Sequence, residues 1–212
     1  RYGFLGGMAT AALVNPLMMW DPEQEPLVRG IFQEVLDRLA AVGAYACERE
    51  PHAFDPEALK LVADELCGES GVRLRLHTLL VEARVEAGRI AAVTTESKSG
   101  RESWSADIYV DCTGDADLAC RAGVPYDIGR EEDGLTQPMT LNFRMAGVEV
   151  ERMPSRADIN SRYDTAKAEG RVDCPRENVL FFHALQPGVV HFNTTRVTGK
   201  SGVAAQDLTS AE

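Results

Sequence analysis

Two short stretches of this chain have residues whose types and spacing suit chemistry on a bound anion. The first is Gly6-Gly7-Met8-Ala9-Thr10. Paired glycines let a backbone approach a bulky anion closely and adopt positive φ angles. Their amides, turned into one concavity, form a nest suited to a pyrophosphate, and the Thr10 hydroxyl three residues on adds a donor. An ordinary glycine turn is the competing reading of the same five residues. The second stretch is Val110-Asp111-Cys112-Thr113-Gly114-Asp115-Ala116-Asp117, an apolar run that stops in small residues. At the carboxyl edge of a parallel sheet such a stop leaves backbone amides free for a ligand. Asp111, Asp115 and Asp117 also raise a metal site, but their spacing fits no calcium loop. Asp115 and Asp117 are accounted for by opening a helix, where negative charge is favoured.

On the other half of the chain, His183, His191, Arg144 and Arg196 are the candidates for proton transfer or for holding a carboxylate. His191 and Arg196 stand five apart on an expected strand and its end, so they start on opposite faces and make no ready pair. Each of the four has a structural or solvated role as its plainer reading. Leu17, Met18, Met19 and Trp20 either line a ring or fill core, and core is preferred.

The elements that must position these residues follow from periodicity. A helix is expected from Pro26 to Ala41, with Leu27, Ile31, Val35, Leu36 and Leu39 as its apolar set. Asp55 caps a second helix with Pro56 at its first position and a stripe of Leu59, Val62, Ala63 and Leu66. Gly71 then releases an alternating run, Val72 to Leu76, which reads as a strand and completes one helix–strand step of a parallel sheet. Leu80 to Val85 and Ile90 to Thr95, joined by Glu86-Ala87-Gly88-Arg89, read as a hairpin. A third run starts near Glu102, giving an antiparallel meander. Ala106 to Asp111 reads as a buried strand, followed by a short helix through Arg121. Beyond the charged loop of residues 127–138, strands are expected at Thr140 to Ala146, Val179 to His183 and Val189 to Thr195, with a polar helix from Arg156 to Ala168. The last dozen residues carry little pattern.

Composition bounds the partners. The chain has 33 acidic and 22 basic residues, a net charge of −11, which disfavours nucleic acid and anionic membrane surfaces. The longest apolar window, Met8 to Trp20, is broken by Asn15 and Pro16 and is too short to span a bilayer. The five cysteines, Cys47, Cys67, Cys112, Cys120 and Cys174, form no metal or iron–sulfur spacing and read as reduced, mostly buried thiols of a cytoplasmic protein. The sequon Asn193-Thr194-Thr195 reads as strand sequence. The opening at Arg1, without Met, reads as the start of an internal fragment.

Taken together, Arg1 to Thr10, the helix, strand and meander of residues 55–110, and Asp111-Cys112-Thr113-Gly114-Asp115 resemble the FAD-dependent oxidoreductase family. This is a branch of the glutathione-reductase-like flavoproteins that includes heterodisulfide-reductase-A-like proteins. The resemblance implies an α/β fold: an incomplete Rossmann-like three-layer FAD/NAD(P)-binding domain with an antiparallel meander over residues 1–130, and part of an α+β substrate domain over 131–212. In that family a strand and GxGxxG loop precede the position of Arg1, and Arg1 itself lies beside the adenosine. Gly6, Gly7 and Thr10 match a second flavin-contacting motif, although Phe4 and Met8 stand where many relatives have arginine. Leu80 corresponds to a residue whose backbone contacts the adenine, and Cys112, Thr113 and Gly114 to the strand end that closes over the dinucleotide. The family's later flavin motif has no counterpart before Glu212. The resemblance thus implies FAD, a small-molecule substrate, and flavin-mediated hydride or electron transfer, with an oligomer or electron-transfer partner as a further implication. The alternatives are a flavin-binding electron-transfer component of a larger iron–sulfur complex, whose 4Fe-4S cluster would lie elsewhere, and a metal-assisted hydrolase using Asp111, Asp115 and Asp117.

Overall fold

A computed structural model describes residues 2–17 and 28–212. It divides into two compact units. One joins the first residues through Leu5 to Gly71–Thr136, and the other joins Gly6–Ser70 to Gln137–Glu212.

The second unit opens with helix α1 (Ile31–Ala41), a hairpin of β1 (Tyr45–Cys47) and β2 (Glu50–Phe54), and helix α2 (Pro56–Glu69). Pro26 and Leu27 lie outside the described residues, but residues 28–30 are not helical, so α1 begins later than expected, at Ile31 behind Gly30, whose φ of 71° is outside the helical range. Leu36 and Leu39 are the buried stripe of α1. Leu39, Ala44, Phe54 and Val62 form a core on which Leu17, Val35, Leu59 and Leu66 pack. Leu17 is therefore core. Asp55 caps α2 as its type dictates, its carboxylate accepting from the Glu57 amide at 2.8 Å, with Pro56 first in the helix. Arg38 of α1, braced by Glu34 of the same helix at 2.7 Å, ties α1 to α2 through Glu69 at 2.5 Å.

The other unit carries the meander: β3 (Leu79–Glu86), β4 (Arg89–Ser97) and β5 (Gly100–Trp104), antiparallel in that order, followed by α3 (Asp117–Arg121). Ala87 and Gly88, at φ 48° and 76°, make the two-residue turn that fits the twist of a hairpin. Two expected strands do not form. Residues 72–76 and 106–111 belong to no sheet, and every strand pair among the described residues is antiparallel. Alternation and apolar content give a segment strand-like residues, but only a neighbouring ladder makes it a strand. Without one, Ile108 and Val110 are 80% and 78% exposed. What holds the second segment is Tyr109, whose hydroxyl accepts from the Ala106 amide at 2.9 Å and donates to the Ala91 carbonyl of β4 at 3.3 Å.

The chain then returns to the second unit as β6 (Phe143–Met145), α4 (Arg156–Ala168), β7 (Phe181–His183), β8 (Val190–Phe192) and α5 (Ala205–Ala211). The sheet order is β6-β8-β7, antiparallel throughout. Ser155 caps α4, accepting from the Asp158 amide at 3.1 Å. Phe143, Phe192 and Phe181 run across one face of this sheet, with the first two rings stacked 5.0 Å apart. Arg144, His191 and Phe182 run across the other. The fold is mixed α/β with antiparallel sheets. Among the described residues no helix is long and apolar enough to cross a membrane.

Candidate functional sites

In the second unit the glycine doublet is a tight turn. Gly6 and Gly7 sit at φ 102° and 47°, and a 3-10 turn covers Gly7–Ala9. The Gly6 carbonyl accepts from the Ala9 amide at 3.0 Å, and the Gly7 carbonyl from Ala11 at 2.8 Å. The two glycines are needed for different reasons. A Cβ on Gly6 would lie 2.5 Å from the Thr10 methyl, whereas one on Gly7 would meet nothing within 4 Å. Thr10 is buried under the turn, at 2% exposure. So Gly6 serves packing, while Gly7 leaves open space over exposed backbone, the condition for a ligand's close approach. The segment is anchored downstream: Asn15 donates to the Phe54 carbonyl at 2.7 Å, and Asn142, just before β6, donates to the Ala12 carbonyl at 2.8 Å. Arg1, Met18, Met19 and Trp20 lie outside the described residues.

In the other unit Asp111 organises the small-residue stretch. One carboxylate oxygen accepts from the Thr113 amide and hydroxyl at 3.0 and 2.7 Å, and the other from the Ala119 amide at 2.9 Å. These hydrogen bonds, Ala119's first, hold its carboxyl below the usual carboxylate range. Thr113 in turn accepts from the Asp117 amide at 2.8 Å. Asp117 opens α3, as expected, and lies in its first turn, while Asp115 lies two residues before it; the carboxylate that accepts from a helix-start amide, Ala119, is Asp111. Cys112, Thr113 and Gly114 are exposed on the loop, and a Cβ on Gly114 would meet nothing within 4 Å. Leu80 is half-buried in β3, paired with Thr95 beside a register shift. No group of three metal-ligating side chains occurs among the described residues.

The four substrate-side candidates separate into one pair and two individuals. Arg144 on β6 lies directly opposite His191 on β8. His191 is 1% exposed, and neither ring nitrogen has a partner; the Nε of Arg144 and the Oδ1 of Asn142 are likewise buried and unpartnered. Burial first, and then the Arg144 charge, push His191 down to about 4, so its ring is neutral. Arg196 instead pairs with Glu177 at 2.8 Å. His183, at the end of β7, meets Phe181 edge-on, and burial followed by Arg49 and Arg156 lowers it.

Sequence reasoning missed four features. All five cysteines are free, but Cys112 and Cys120 are exposed and the rest half-buried, so the expectation of mostly buried thiols is corrected. The first two lie where loop and short helix have no covering layer. The Cys174 thiol is drawn down despite its burial, by the Arg176 amide, the Tyr163 hydroxyl and Lys167. A groove of about 740 Å³ opens between the end of α1, α2 and residues 185–187, lined by Val42, Leu61, Val62, Asp55 and Gln186. Asn142 also escaped notice, since nothing in its local sequence distinguishes it.

No curated protein matches the chain. The model of the FAD dependent oxidoreductase family matches residues 1–212. With that match spanning the glycine doublet, the Asp111 loop and the Arg144–His191 row alike, the chain belongs to the FAD-dependent oxidoreductases, enzymes whose cofactor is FAD.

Proposed function

We propose that this enzyme holds FAD through main-chain contacts, the candidate residues being Arg1 beside the adenosine, Gly6, Gly7, Thr10, Leu80, Cys112, Thr113 and Gly114. The reading includes a Rossmann-like three-layer cofactor domain over residues 1–130 in the heterodisulfide-reductase-A-like branch, and a substrate domain over 131–212. When bound, the flavin supplies hydride or electron transfer, and the protein supplies position and electrostatics. The chain's own part is to present amides where no side chain intrudes. The enzyme acts in the cytoplasm on a small molecule and works either as an oligomer or with an electron-transfer partner.

The supporting observation is Gly7: a positive φ of 47° with open space where a Cβ would stand, on a turn fixed from below by Thr10. That leaves the Gly7 backbone open to close approach, which a diphosphate held by main-chain amides would require. Two measurements test it. The natively purified protein should show the visible absorbance of oxidised flavin; a colourless protein that cannot be reconstituted with FAD would sink the reading. Gly7→Leu should lower flavin retention with little change in melting of the FAD-free protein beyond the backbone strain, about 1–3 kcal/mol. Unchanged flavin content in that variant would remove Gly7 from the site.

A further inference from the structure

The Arg144–His191 row is unusual for what it lacks. The chain has 33 acidic residues against 22 basic ones, yet Arg144 forms no ion pair among the described residues and its Nε is buried without an acceptor. Directly across the strand pair, His191 is buried at 1% exposure with both ring nitrogens unpartnered. Buried donors of this kind are almost always matched by protein, water or ligand. A third orphan, Oδ1 of Asn142, lies two residues before Arg144, and its position is fixed because the same amide donates to the Ala12 carbonyl at 2.8 Å. That bond also ties the row to the segment that follows the glycine doublet.

The inventory selects a ligand. One guanidinium beside a neutral imidazole carries a single positive charge, which balances a monoanion and not a phosphate dianion. The planar donors of Arg144 match a carboxylate, and a neutral histidine adds one N–H. Asn142 presents an acceptor, so the ligand needs a donor close to its carboxylate. An ammonium there would be repelled by Arg144, whereas a hydroxyl would not. We propose that Arg144, His191 and Asn142 form a binding site for a small hydroxy-monocarboxylate, with the carboxylate on Arg144 and His191 and the neighbouring hydroxyl donating to Asn142 Oδ1. Arg144 is only half-buried, so the solvent-accessible end of the pair is the guanidinium, with the buried His191 beside it on the neighbouring strand. Calling this ligand the substrate rests on the flavin reading above, but the binding itself does not.

The test is a titration of the full chain with sodium glycolate, followed by the ¹⁵N shifts of the histidine ring nitrogens, with acetate and chloride as controls at matched ionic strength. Glycolate should shift the His191 ring saturably below about 50 mM. Acetate should bind several-fold more weakly, and chloride should give no saturable shift. Arg144→Leu should weaken glycolate roughly tenfold or more, and Asn142→Ala should reduce glycolate to the affinity of acetate. If Arg144→Leu does not fold, Asn142→Ala, which lies outside the strand, carries the test alone. No saturable response to glycolate, or an equal one to chloride, overturns the site; equal binding of acetate and glycolate overturns the hydroxyl contact. Flavin absorbance of the same samples separates the two readings. A colourless, irreconstitutable protein that binds glycolate loses the flavin reading and keeps this one, and a yellow protein blind to glycolate does the reverse.

Discussion

Asp111, on an exposed loop, and His191, buried in a sheet, are both hydrogen-bonding groups, and the protein treats them in opposite ways. Asp111 has acceptors to offer at a helix start that needs them, and both of its oxygens are occupied by Thr113 and Ala119. His191 is sealed between β6 and β7 with nothing on either nitrogen. The first arrangement is complete without a ligand and explains itself as loop architecture. The second is incomplete, and a buried unmet hydrogen-bonding group destabilises a fold unless something outside the chain meets it. The one aspartate of the Asp111, Asp115 and Asp117 group that is fully engaged is thus engaged by the fold itself.

Acid should expose this contrast most strongly. The folded state holds His191 near 4 against an ordinary 6.5, so the unfolded chain binds the extra proton first. Stability from this group is complete above 6.5 and is lost as pH falls toward 4, by up to about 3 kcal/mol. Asp111 acts in the same direction, but only below its ordinary carboxylate range. A melting series should therefore lose stability in two steps, and His191→Phe should shrink the upper one, leaving the smaller share of His183, which burial also lowers. A wild-type protein whose melting point is flat between those two values would break the assignment.

A smaller effect sharpens the same contrast at neutral pH. Replacing His191 by Phe removes two unmet polar atoms, so the ligand-free protein should melt at the same temperature or higher, a gain of up to about 1–2 kcal/mol. A clear loss would mean that the ring has a partner such as ordered water. Asp111→Ala should do the reverse and lower the melting point, because the Thr113 and Ala119 amides lose their acceptor. Asp115→Ala, on the same exposed loop, is the control and should change least.

How much of this was legible in the sequence follows the range of the interactions. Helix α2 could be read because Asp55 and Pro56 announce it within three residues, and the β3–β4 hairpin because Ala87-Gly88 takes the positive φ angles its turn requires. The β1–β2 hairpin went unread. Its connection, Glu48-Arg49, has no glycine or asparagine, and Pro51 stands inside the second strand. Residues 72–76 and 106–111 look like strands because alternation and apolar content are local, while the ladder that would make them strands is not. The candidate site has the same divide. Gly6 and Gly7 are visible as a doublet, but Arg144 meets His191 only through the register of β6 on β8, and no spacing along the chain encodes it.

The path of the backbone between the two units has a practical consequence for dissecting the protein. Because the meander's unit borrows its opening residues from before α1 and α2 in the chain, no single truncation delivers it whole: a piece beginning at Gly71 omits Tyr2, whose carbonyl takes the His77 amide at 2.9 Å. A piece ending at Ser70 deprives the other unit of the β6-β8-β7 sheet. Proteolytic fragments of this enzyme should accordingly be judged as nicked, still-associated chains before they are treated as autonomous domains.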